Sequence, residues 1–299
     1  HGYAANEHLL EKYADRVPLR EHEWDNRHFC RVSNAEQLAM SDNVGMINLS
    51  HFAVYDILGP DAETLMEYAC TAKVGGDTPI GKGVYTHFLD KRGGVRADLT
   101  VIRHAKYRFR LIDGADAGHR DYIWLKRMAE DNGWNAYIDD RSDHMACLGV
   151  WGPNARKTIQ AIADDPSAWD EENFPFAATR QLTLKGIPVE AFRISYVGEQ
   201  GWELHVAFSY GLSLWDLVYA QGATPVGIET YANSRRMEKS LRLQNADLLT
   251  EYTLYEAGLA RPPLIRTCPV REIASTSTWP RPTPTGPDVH LTHRRRDRW

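Results

Sequence analysis

The sequence predicts an α+β protein with mainly antiparallel sheets. Several β-like stretches follow one another with only short turns between them, and amphipathic helical stretches separate these groups. Strands joined by short turns pair antiparallel, whereas parallel strands need long crossover connections. The motif Gly-Pro-x-Ala stands twice between a predicted strand and a predicted helix, at 59–62 and at 152–155. These observations favour an α+β domain over a doubly wound one, and the repeated motif hints at an internal structural repeat.

Local patterns place the elements along the chain. Residues 1–30 are interpreted as a lead-in with a helical segment at 6–13. Apolar spacing and flanking turn residues predict helices at 35–40, 61–70, 118–132, 154–163, 212–220 and 227–243. Alternation and β-branched composition predict strands at 45–58, 83–89, 95–103, 107–111, 134–139, 145–151 and within 181–206.

Composition argues against several classes of function. Apolar residues make up 43% of the 299 residues and charged residues 25%, as in soluble globular proteins. There is no run of about 18 apolar residues that would predict a membrane span, and the polar N-terminus lacks a signal-peptide core. A cytoplasmic or organelle-matrix location without a membrane partner is therefore expected, with the cytoplasm preferred. The four cysteines lie far apart without a Cys-x-x-Cys pair, which argues against a zinc site and a disulfide framework.

The composition changes after residue 262. Residues 263–299 hold six of the 15 prolines and seven arginines but no lysine, without apolar periodicity. We therefore expect a disordered basic tail, which is either a partner- or RNA-binding segment or a segment without function, such as an out-of-frame reading. The net charge is -5 and this tail carries +4, so the remainder carries -9. An acidic body is a poor nucleic-acid binder, and no nucleic-acid partner is expected.

Signature motifs of common cofactor and catalytic sites are absent. The chain has no Gly-x-Gly-x-x-Gly turn, phosphate-binding loop, Gly-x-Ser-x-Gly elbow or His-Glu-x-x-His helix. The scattered histidines His51, His87, His144 and His205 are interpreted as structural or surface side chains, and no metal ligand is predicted.

The segment YTHFLDKRGGVRADLTVIR, at 85–103, is the first of three candidate functional segments. Its Gly-Gly pair predicts a turn between two strands. In the second strand Val95, Ala97, Leu99 and Val101 fall on one face. Because side chains alternate along a strand, Asp98 falls on the other face, which borders either solvent or a polar cavity.

The second candidate segment is ISYVGEQGWELHVAF, at 194–208. Gly-Glu-Gln-Gly has the composition of a turn, and Trp202, Leu204, Val206 and Phe208 alternate as an inward face. Glu203 falls on the opposite face, so from spacing alone it is a solvated residue of an exposed hairpin.

The third candidate segment is GIETYANSRRMEKSLRLQ, at 227–244. Its charge spacing predicts a helix with paired charges, for which a solvated face is the plain interpretation.

Together these segments resemble the glycine-cleavage T-protein (aminomethyltransferase) family, and more closely the C-terminal folate half of dimethylglycine and sarcosine dehydrogenases. NLSHFAVYDILGPDAETLM resembles the family's entry segment, and YTHFLDKRGGVRADLTV its Gly-Gly-x-x-x-Asp strand. SYVGEQGWELHV is similar to its Tyr-x-Gly-Glu-x-Gly-x-Glu hairpin, and RRMEKSLRL to its Arg-x-Glu helix. Order and spacing are kept from about residue 20 to 262, and four motifs in register are more specific than any one of them.

The resemblance implies roles for five residues. Asp98 corresponds to the family's catalytic aspartate, although many relatives have two acids where this chain has Ala97-Asp98. Glu203 corresponds to the carboxylate that binds the pterin ring, and Tyr196 to a tyrosine that lines the folate site. Tyr85 is expected to line or stack on the ligand. Arg236 stands where the helix motif has its arginine.

The resemblance also implies a fold of two intercalated α+β subdomains. We expect a folate-binding domain at 31–262, with one subdomain at 31–57 plus 145–262 and an inserted subdomain at 58–144. The tail does not resemble the family's C-terminal barrel, and only about 20 residues stand where larger relatives have an FAD domain. We therefore expect a truncated copy without the barrel, and FAD only on a missing domain or a partner chain.

The implied function is tetrahydrofolate-dependent transfer of an aminomethyl or methylene group. The expected substrate derives from a methylamine such as sarcosine or dimethylglycine, with 5,10-methylenetetrahydrofolate as product and an FAD-dependent dehydrogenase as a possible partner. A folate-dependent demethylase of another methyl donor and a non-catalytic folate-binding remnant remain as alternatives. A carboxylate accepts the adjacent N–H groups of a pterin, and a fixed carboxylate stabilises cationic charge that develops during transfer.

Overall fold

The computed structural model describes residues 3–17, 19, 22 and 30–259. In this part of the chain, two β-sheets form the framework. The strands are β1 Gly45–Asn48, β2 Ala53–Leu58, β3 Gly83–Leu89, β4 Val95–Ala105, β5 Arg108–Asp113, β6 Tyr137–Asp140, β7 Met145–Trp151, β8 Thr179–Leu184, β9 Ile187–Phe192, β10 Gly201–Ala207 and β11 Thr224–Pro225. The α-helices are α1 Leu9–Lys12, α2 Arg31–Asp42, α3 Ala62–Ala69, α4 Gly118–Asp131, α5 Ala155–Gln160, α6 Gly211–Tyr219 and the single turn α7 Arg236–Glu238. Short 3₁₀ turns lie at Ala4–Asn6, Ser142–His144, Pro166–Trp169 and Phe208–Tyr210, and a π-helical segment lies at Glu229–Arg235.

The larger sheet has six strands in the order β11-β1-β7-β10-β9-β8. One face carries apolar side chains such as Val150, Trp202 and Leu204, which pack against α5 and α6. The other face carries a second apolar cluster that includes Trp151 and Tyr231. The central strand β10 is therefore covered on both sides, and six of its seven residues are buried.

The smaller sheet has five strands in the order β3-β4-β5-β2-β6. One face packs against α3 and α4 through residues such as Leu65, Leu125 and Phe109. Within the two sheets, the β1–β11 pair is parallel and every other pair of neighbouring strands is antiparallel. The predicted α+β class with mainly antiparallel sheets is confirmed.

The chain crosses between the sheets twice. It leaves the larger sheet after β1 and returns to it after β6. The two crossings run side by side, because the Arg141 N–H donates to the Val54 carbonyl and the Val54 N–H to Ser142 Oγ. Beyond the crossings, a buried ion pair joins the sheets, with Arg110 Nη1 of β5 lying 2.9 Å from Glu190 Oε2 of β9.

The strand β2 lies at the predicted subdomain boundary at residue 57. It pairs with β5 and β6 in the five-stranded sheet. The apolar run at 45–58 reads as one strand, whereas the chain breaks after β1 and changes sheet before β2. The division of the chain into domains stays a prediction.

The predicted helix at 227–243 is wrong in type and length. The segment winds as a π-helix at Glu229–Arg235, continues for one α-helical turn and ends at Glu238. Ser240 then adopts a left-handed backbone with φ 57°, and the Leu241 N–H donates to the Arg236 carbonyl. A run of helix-forming residues does not reveal this reversal, because the Arg236 side chain fixes it through contacts with Leu241 and Asp247 beyond the helix end.

No helix of the described part is long and apolar enough to cross a membrane. The predicted tail at 263–299 and most of the stretch 18–29 lie outside the described residues.

Candidate functional site

Asp98 lies on β4 opposite His87 of β3, and Tyr85 lies two residues before His87 on the same strand face. The Tyr85 hydroxyl donates a hydrogen bond to Asp98 Oδ2 at 3.0 Å. His87 Nε2 lies 3.1 Å from the same hydroxyl, and the two rings meet edge to face with centroids 4.7 Å apart. These three side chains therefore form one hydrogen-bonded row across the hairpin.

The burial of β4 alternates as the sequence predicts. Val95, Ala97, Leu99 and Val101 are buried, and Asp98 is half-buried. Burial raises the pKa of Asp98 to about 6, the Tyr85 hydrogen bond opposes this shift, and the charge of Asp116 adds to it. Asp98 is therefore not the freely solvated acid that one interpretation of the spacing allowed.

Glu203 lies in the middle of β10 and is only 7% exposed, so the interpretation as a solvated hairpin residue is wrong. Its strand has a sheet partner on each side and an apolar cluster on each face, which periodicity in one segment cannot reveal.

Phe208 also departs from the prediction. It lies beyond the end of β10 in a 3₁₀ turn and is 64% exposed, whereas Trp202, Leu204 and Val206 are buried as expected.

Cys147 and His205 accompany Glu203 on the same face of the larger sheet. Cys147 is the direct partner of His205 across β7 and β10, and its Sγ lies 3.7 Å from His205 Nε2. Glu203 Oε2 lies 3.5 Å from the same nitrogen. His205 Nδ1 is buried and has no hydrogen-bond partner among the described residues. The sequence did not predict this cluster, because its members come from strands 58 residues apart.

Tyr196 and Tyr231 pack against each other and feel the charges of the predicted acids. Their ring centroids lie 5.1 Å apart, and Tyr231 also stacks on Trp151. Burial raises the pKa of the Tyr231 hydroxyl, and the charges of both Glu203 and Asp98 raise that pKa further. Asp98 also raises the pKa of Tyr196, after the larger effect of burial. Tyr231 thus lies within electrostatic reach of both acids, and no motif singled it out.

Arg236 is buried and is held by protein groups. Its guanidinium donates to Asp247 and to the backbone carbonyls of Ala232 and Leu241. These contacts fix the reversal after α7 near Tyr196, whose hydroxyl donates to the Arg242 carbonyl. Cofactor binding by Arg236 stays a prediction.

An open depression at the far edge of the larger sheet includes none of these side chains. It is lined by Asp165, Trp169, Gln181, Leu182, Thr183 and Pro188.

A known family covers all of these side chains: the sequence profile of the GCVT N-terminal domain family matches residues 10–262. The chain belongs to the GCVT family. The predicted resemblance is thus confirmed, and the five predicted site residues all lie within the matched range.

Curated relatives of this GCVT-family chain include two kinds of protein. It is 32% identical over 233 residues to mitochondrial dimethylglycine dehydrogenase of Rattus norvegicus, covering 77% of this chain and 26% of that protein. It is 30% identical over 225 residues to an aminomethyltransferase of Paraburkholderia phymatum, covering 75% of this chain and 60% of that protein. The chain therefore spans about a quarter of the first relative and three-fifths of the second.

Among solved structures, the fold resembles the glycine cleavage system aminomethyltransferase T of Bartonella henselae. The TM-score is 0.66 at 22% identity, and the match covers 76% of this chain and 59% of that chain. This similarity supports the GCVT fold that the sequence predicted.

Proposed function

We propose that the chain binds a reduced folate and serves as a tetrahydrofolate-dependent aminomethyl or methylene transferase module. Family membership and the names of the two kinds of relative support this class of reaction. The observation that carries the proposal is Glu203, a carboxyl group that is 7% exposed and has no Lys or Arg of the described residues within 4 Å. His205 Nε2 lies 3.5 Å from Glu203 Oε2 and is a cation only when it is protonated, so the buried carboxylate has room for stronger hydrogen-bond donors, which a bound ligand can supply.

The residues around Glu203 fit a pterin. Its amino-pyrimidine edge presents adjacent N–H donors, which one carboxylate accepts in a charge-assisted pair. Tyr196 and Tyr231 offer aromatic contact to a flat ring on the same side of the sheet. In this proposal Glu203 fixes the orientation of the ring, and the tyrosines exclude water from its faces.

Asp98 is proposed as the catalytic residue. Tetrahydrofolate, when bound, supplies the nitrogen nucleophiles that accept the one-carbon unit. The carboxylate of Asp98 stabilises positive charge near the transferred carbon and holds or relays a proton through its free oxygen, while Tyr85 holds Oδ2. The alternation of β4 places this carboxylate on the face away from the apolar core.

The substrate class is proposed from the relatives. Dimethylglycine and sarcosine dehydrogenases are among them, so the one-carbon donor is proposed to be a methylamine-derived adduct. An FAD-dependent dehydrogenase, on another part of the protein or on a partner chain, would produce that adduct. The chain is proposed to take the carbon from it.

Titration with tetrahydrofolate, followed by calorimetry or tryptophan fluorescence, tests the proposal. Glu203→Gln is expected to weaken binding about 10- to 150-fold, because it loses charge-assisted hydrogen bonds worth about 1.5–3 kcal/mol. The matched control Glu251→Gln changes an exposed glutamate and should bind as the wild type does.

Asp98→Asn separates binding from catalysis. It is expected to bind tetrahydrofolate as the wild type does and to lose formaldehyde- or iminium-coupled turnover. Absence of saturable binding to the wild type would refute the proposed function. Binding without turnover in the wild type would leave a folate-binding scaffold, and equal loss of binding and turnover in Asp98→Asn would contradict the role given to Asp98.

A further inference from the structure

Cys147, Glu203 and His205 bring three different metal-ligating atoms together. A thiol sulfur, a carboxyl oxygen and an imidazole nitrogen all lie within 4.8 Å of one another. Among the described residues, this is the one group of three or more His, Cys, Asp and Glu side chains that meets this spacing. All three residues are buried, with exposures of 4%, 7% and 1%. The cluster is therefore not a chance grouping of solvated acidic side chains on the surface.

The distances suit a tetrahedral ion. Bonds of about 2.0–2.2 Å to nitrogen and oxygen and about 2.3 Å to sulfur place neighbouring ligand atoms about 3.3–3.7 Å apart. The oxygen of Glu203 lies 3.5 Å from His205 Nε2, and the sulfur of Cys147 lies 3.7 Å from it. The Cys147 sulfur and a Glu203 oxygen lie within 4.8 Å of each other, so small side-chain rotations bring all three atoms around one ion without a change of strand register.

The sheet holds the three groups in place. Cys147 and His205 are register partners on the neighbouring strands β7 and β10, and Glu203 precedes His205 by two residues on the same face. The backbone of Cys147 is tied to Ser50, because its N–H donates to Ser50 Oγ at 3.1 Å. Ligands on paired central strands are better positioned than ligands on loops.

We propose that Cys147, Glu203 and His205 form a binding site for a thiophilic divalent metal ion of the zinc class. Thiolate and imidazole ligands favour such ions over magnesium or calcium. Binding converts the Cys147 thiol to a metal-bound thiolate and releases one proton to solvent, with no oxidation or reduction. His205 coordinates through Nε2 and keeps its proton on Nδ1. Three protein ligands leave a fourth position for water.

Metal at this site changes the role of Glu203. A carboxylate that coordinates an ion through one oxygen can no longer accept the two adjacent N–H donors of a pterin with both oxygens, so metal and tetrahydrofolate compete for Glu203. This second step rests on the proposed function, whereas metal binding itself does not. The metal would then act as a reversible inhibitor of the folate site.

Cobalt(II) is the probe for the first step, because a cobalt–thiolate bond gives a charge-transfer absorption band. The full chain, treated with a chelator and then freed of it, is titrated with cobalt chloride. We expect the band to saturate at one equivalent and to disappear when zinc is added. Absence of the band in the folded wild-type protein would overturn the proposal.

Single substitutions assign the ligands. Cys147→Ser should abolish the band and weaken cobalt binding at least about tenfold, and His205→Gln should weaken binding to a similar extent. The matched control is Cys70→Ser, which changes a cysteine buried in the core of the smaller sheet and should keep the band. Circular dichroism of each variant shows whether it is folded. Loss of the band in Cys70→Ser but not in Cys147→Ser would refute the assignment.

A folate titration with and without zinc tests the second step. Saturating zinc should weaken tetrahydrofolate binding at least about tenfold, and a chelator should restore it. Cobalt binding without any folate binding would reject the proposed function and leave the metal site standing. Folate binding without cobalt binding would reject the metal site alone. Simultaneous, independent binding of both would overturn the competition.

Discussion

The Tyr85 hydroxyl donates its hydrogen bond to Asp98 Oδ2, 3.0 Å away across the β3–β4 hairpin. The hydroxyl has only one proton, so His87 must present an Nε2–H to the hydroxyl oxygen at 3.1 Å. Burial lowers the pKa of His87 to about 4, which keeps this imidazole neutral near pH 7. Both hydrogen bonds therefore point the same way: His87 donates to Tyr85, and Tyr85 donates to the Asp98 carboxylate.

This direction predicts the effect of Tyr85→Phe on the pH profile. The pKa of Asp98 is raised by burial to about 6, and the Tyr85 hydrogen bond favours its ionised form. If the carboxylate is the active form, turnover of the wild type rises with pH through about 6. Tyr85→Phe removes the opposing hydrogen bond, so the midpoint moves to higher pH. Turnover between about pH 5 and 9 measures it, and an unchanged midpoint would contradict the role of Tyr85.

His87 is predicted to act as a positioning residue. His87→Phe leaves the Tyr85 hydroxyl without its donor and free to turn away from Asp98. Loss of one hydrogen bond of about 0.5–1.5 kcal/mol predicts a turnover about 2- to 10-fold lower, with little change in tetrahydrofolate affinity. His87→Gln can still donate an N–H and should recover part of the loss. Equal defects in both variants would indicate a packing role instead.

Asp113 is predicted to make stability depend on pH. Its Oδ1 accepts from the Gly114 N–H at 2.7 Å, and its Oδ2 is buried without a partner among the described residues. Burial, together with the charge of Asp121, raises the pKa of Asp113 to about 8. A raised folded-state pKa means that the folded protein holds this proton more tightly than the unfolded chain does. The contribution of Asp113 to the free energy of unfolding is therefore fully present below about pH 4, and it is lost as the pH rises through about 8.

Asp113→Asn mimics the protonated acid at every pH. The melting temperature of the variant minus that of the wild type should increase between about pH 5 and pH 9. The increase should be about 2–4 °C for each kcal/mol of unfolding free energy that the wild type loses. Thermal unfolding of both proteins across this range measures the difference. A constant difference would show that Asp113 does not titrate in this window.

Arg110→Ala is predicted to be strongly destabilising. Arg110 is buried between Asp56, at 2.7 Å and 3.0 Å, and Glu190 of the other sheet, at 2.9 Å. Its removal leaves Asp56 with only the half-exposed Arg108, and Glu190 with only His104 and Gln181. Loss of the buried cation between two buried carboxyl groups is expected to cost about 3 kcal/mol. Urea unfolding measures the loss. Arg92→Ala serves as the control, because the Arg92 side chain is 81% exposed and its pair with Asp90 should be worth less than about 1 kcal/mol.

Much of the fold could be predicted from local pattern. β3 and β7 have the predicted bounds, and α3 and α4 lie within one residue of theirs. The two helices have one buried face, which leaves a readable period of 3.6 residues, whereas β7 is buried on both faces and is marked by a short apolar run that ends at Gly-Pro. The sheet to which β2 belongs could not be predicted from local pattern, because its partners on β5 lie 50–60 residues away.

The candidate site was less accessible to such reasoning. Asp98 could be placed on its strand face from alternation alone, but its bond to Tyr85 depends on register between strands. The burial of Glu203 follows from neighbours on both sides of β10, and the approach of Cys147 to His205 follows from its pairing with β7. Such facts are long-range, and only the resemblance to a family pointed to Glu203 at all.

The paired crossings between the sheets have a consequence for how the chain reaches this arrangement. Asn48 of β1 pairs with Leu148 of β7. The chain between these two residues includes all the strands of the five-stranded sheet. Closing a loop of that length early in folding costs considerable chain entropy. If the smaller sheet collapses first, it holds the two ends of that loop together and shortens the remaining search. The order of assembly would then be set by contact order, with β1 and β7 joining late.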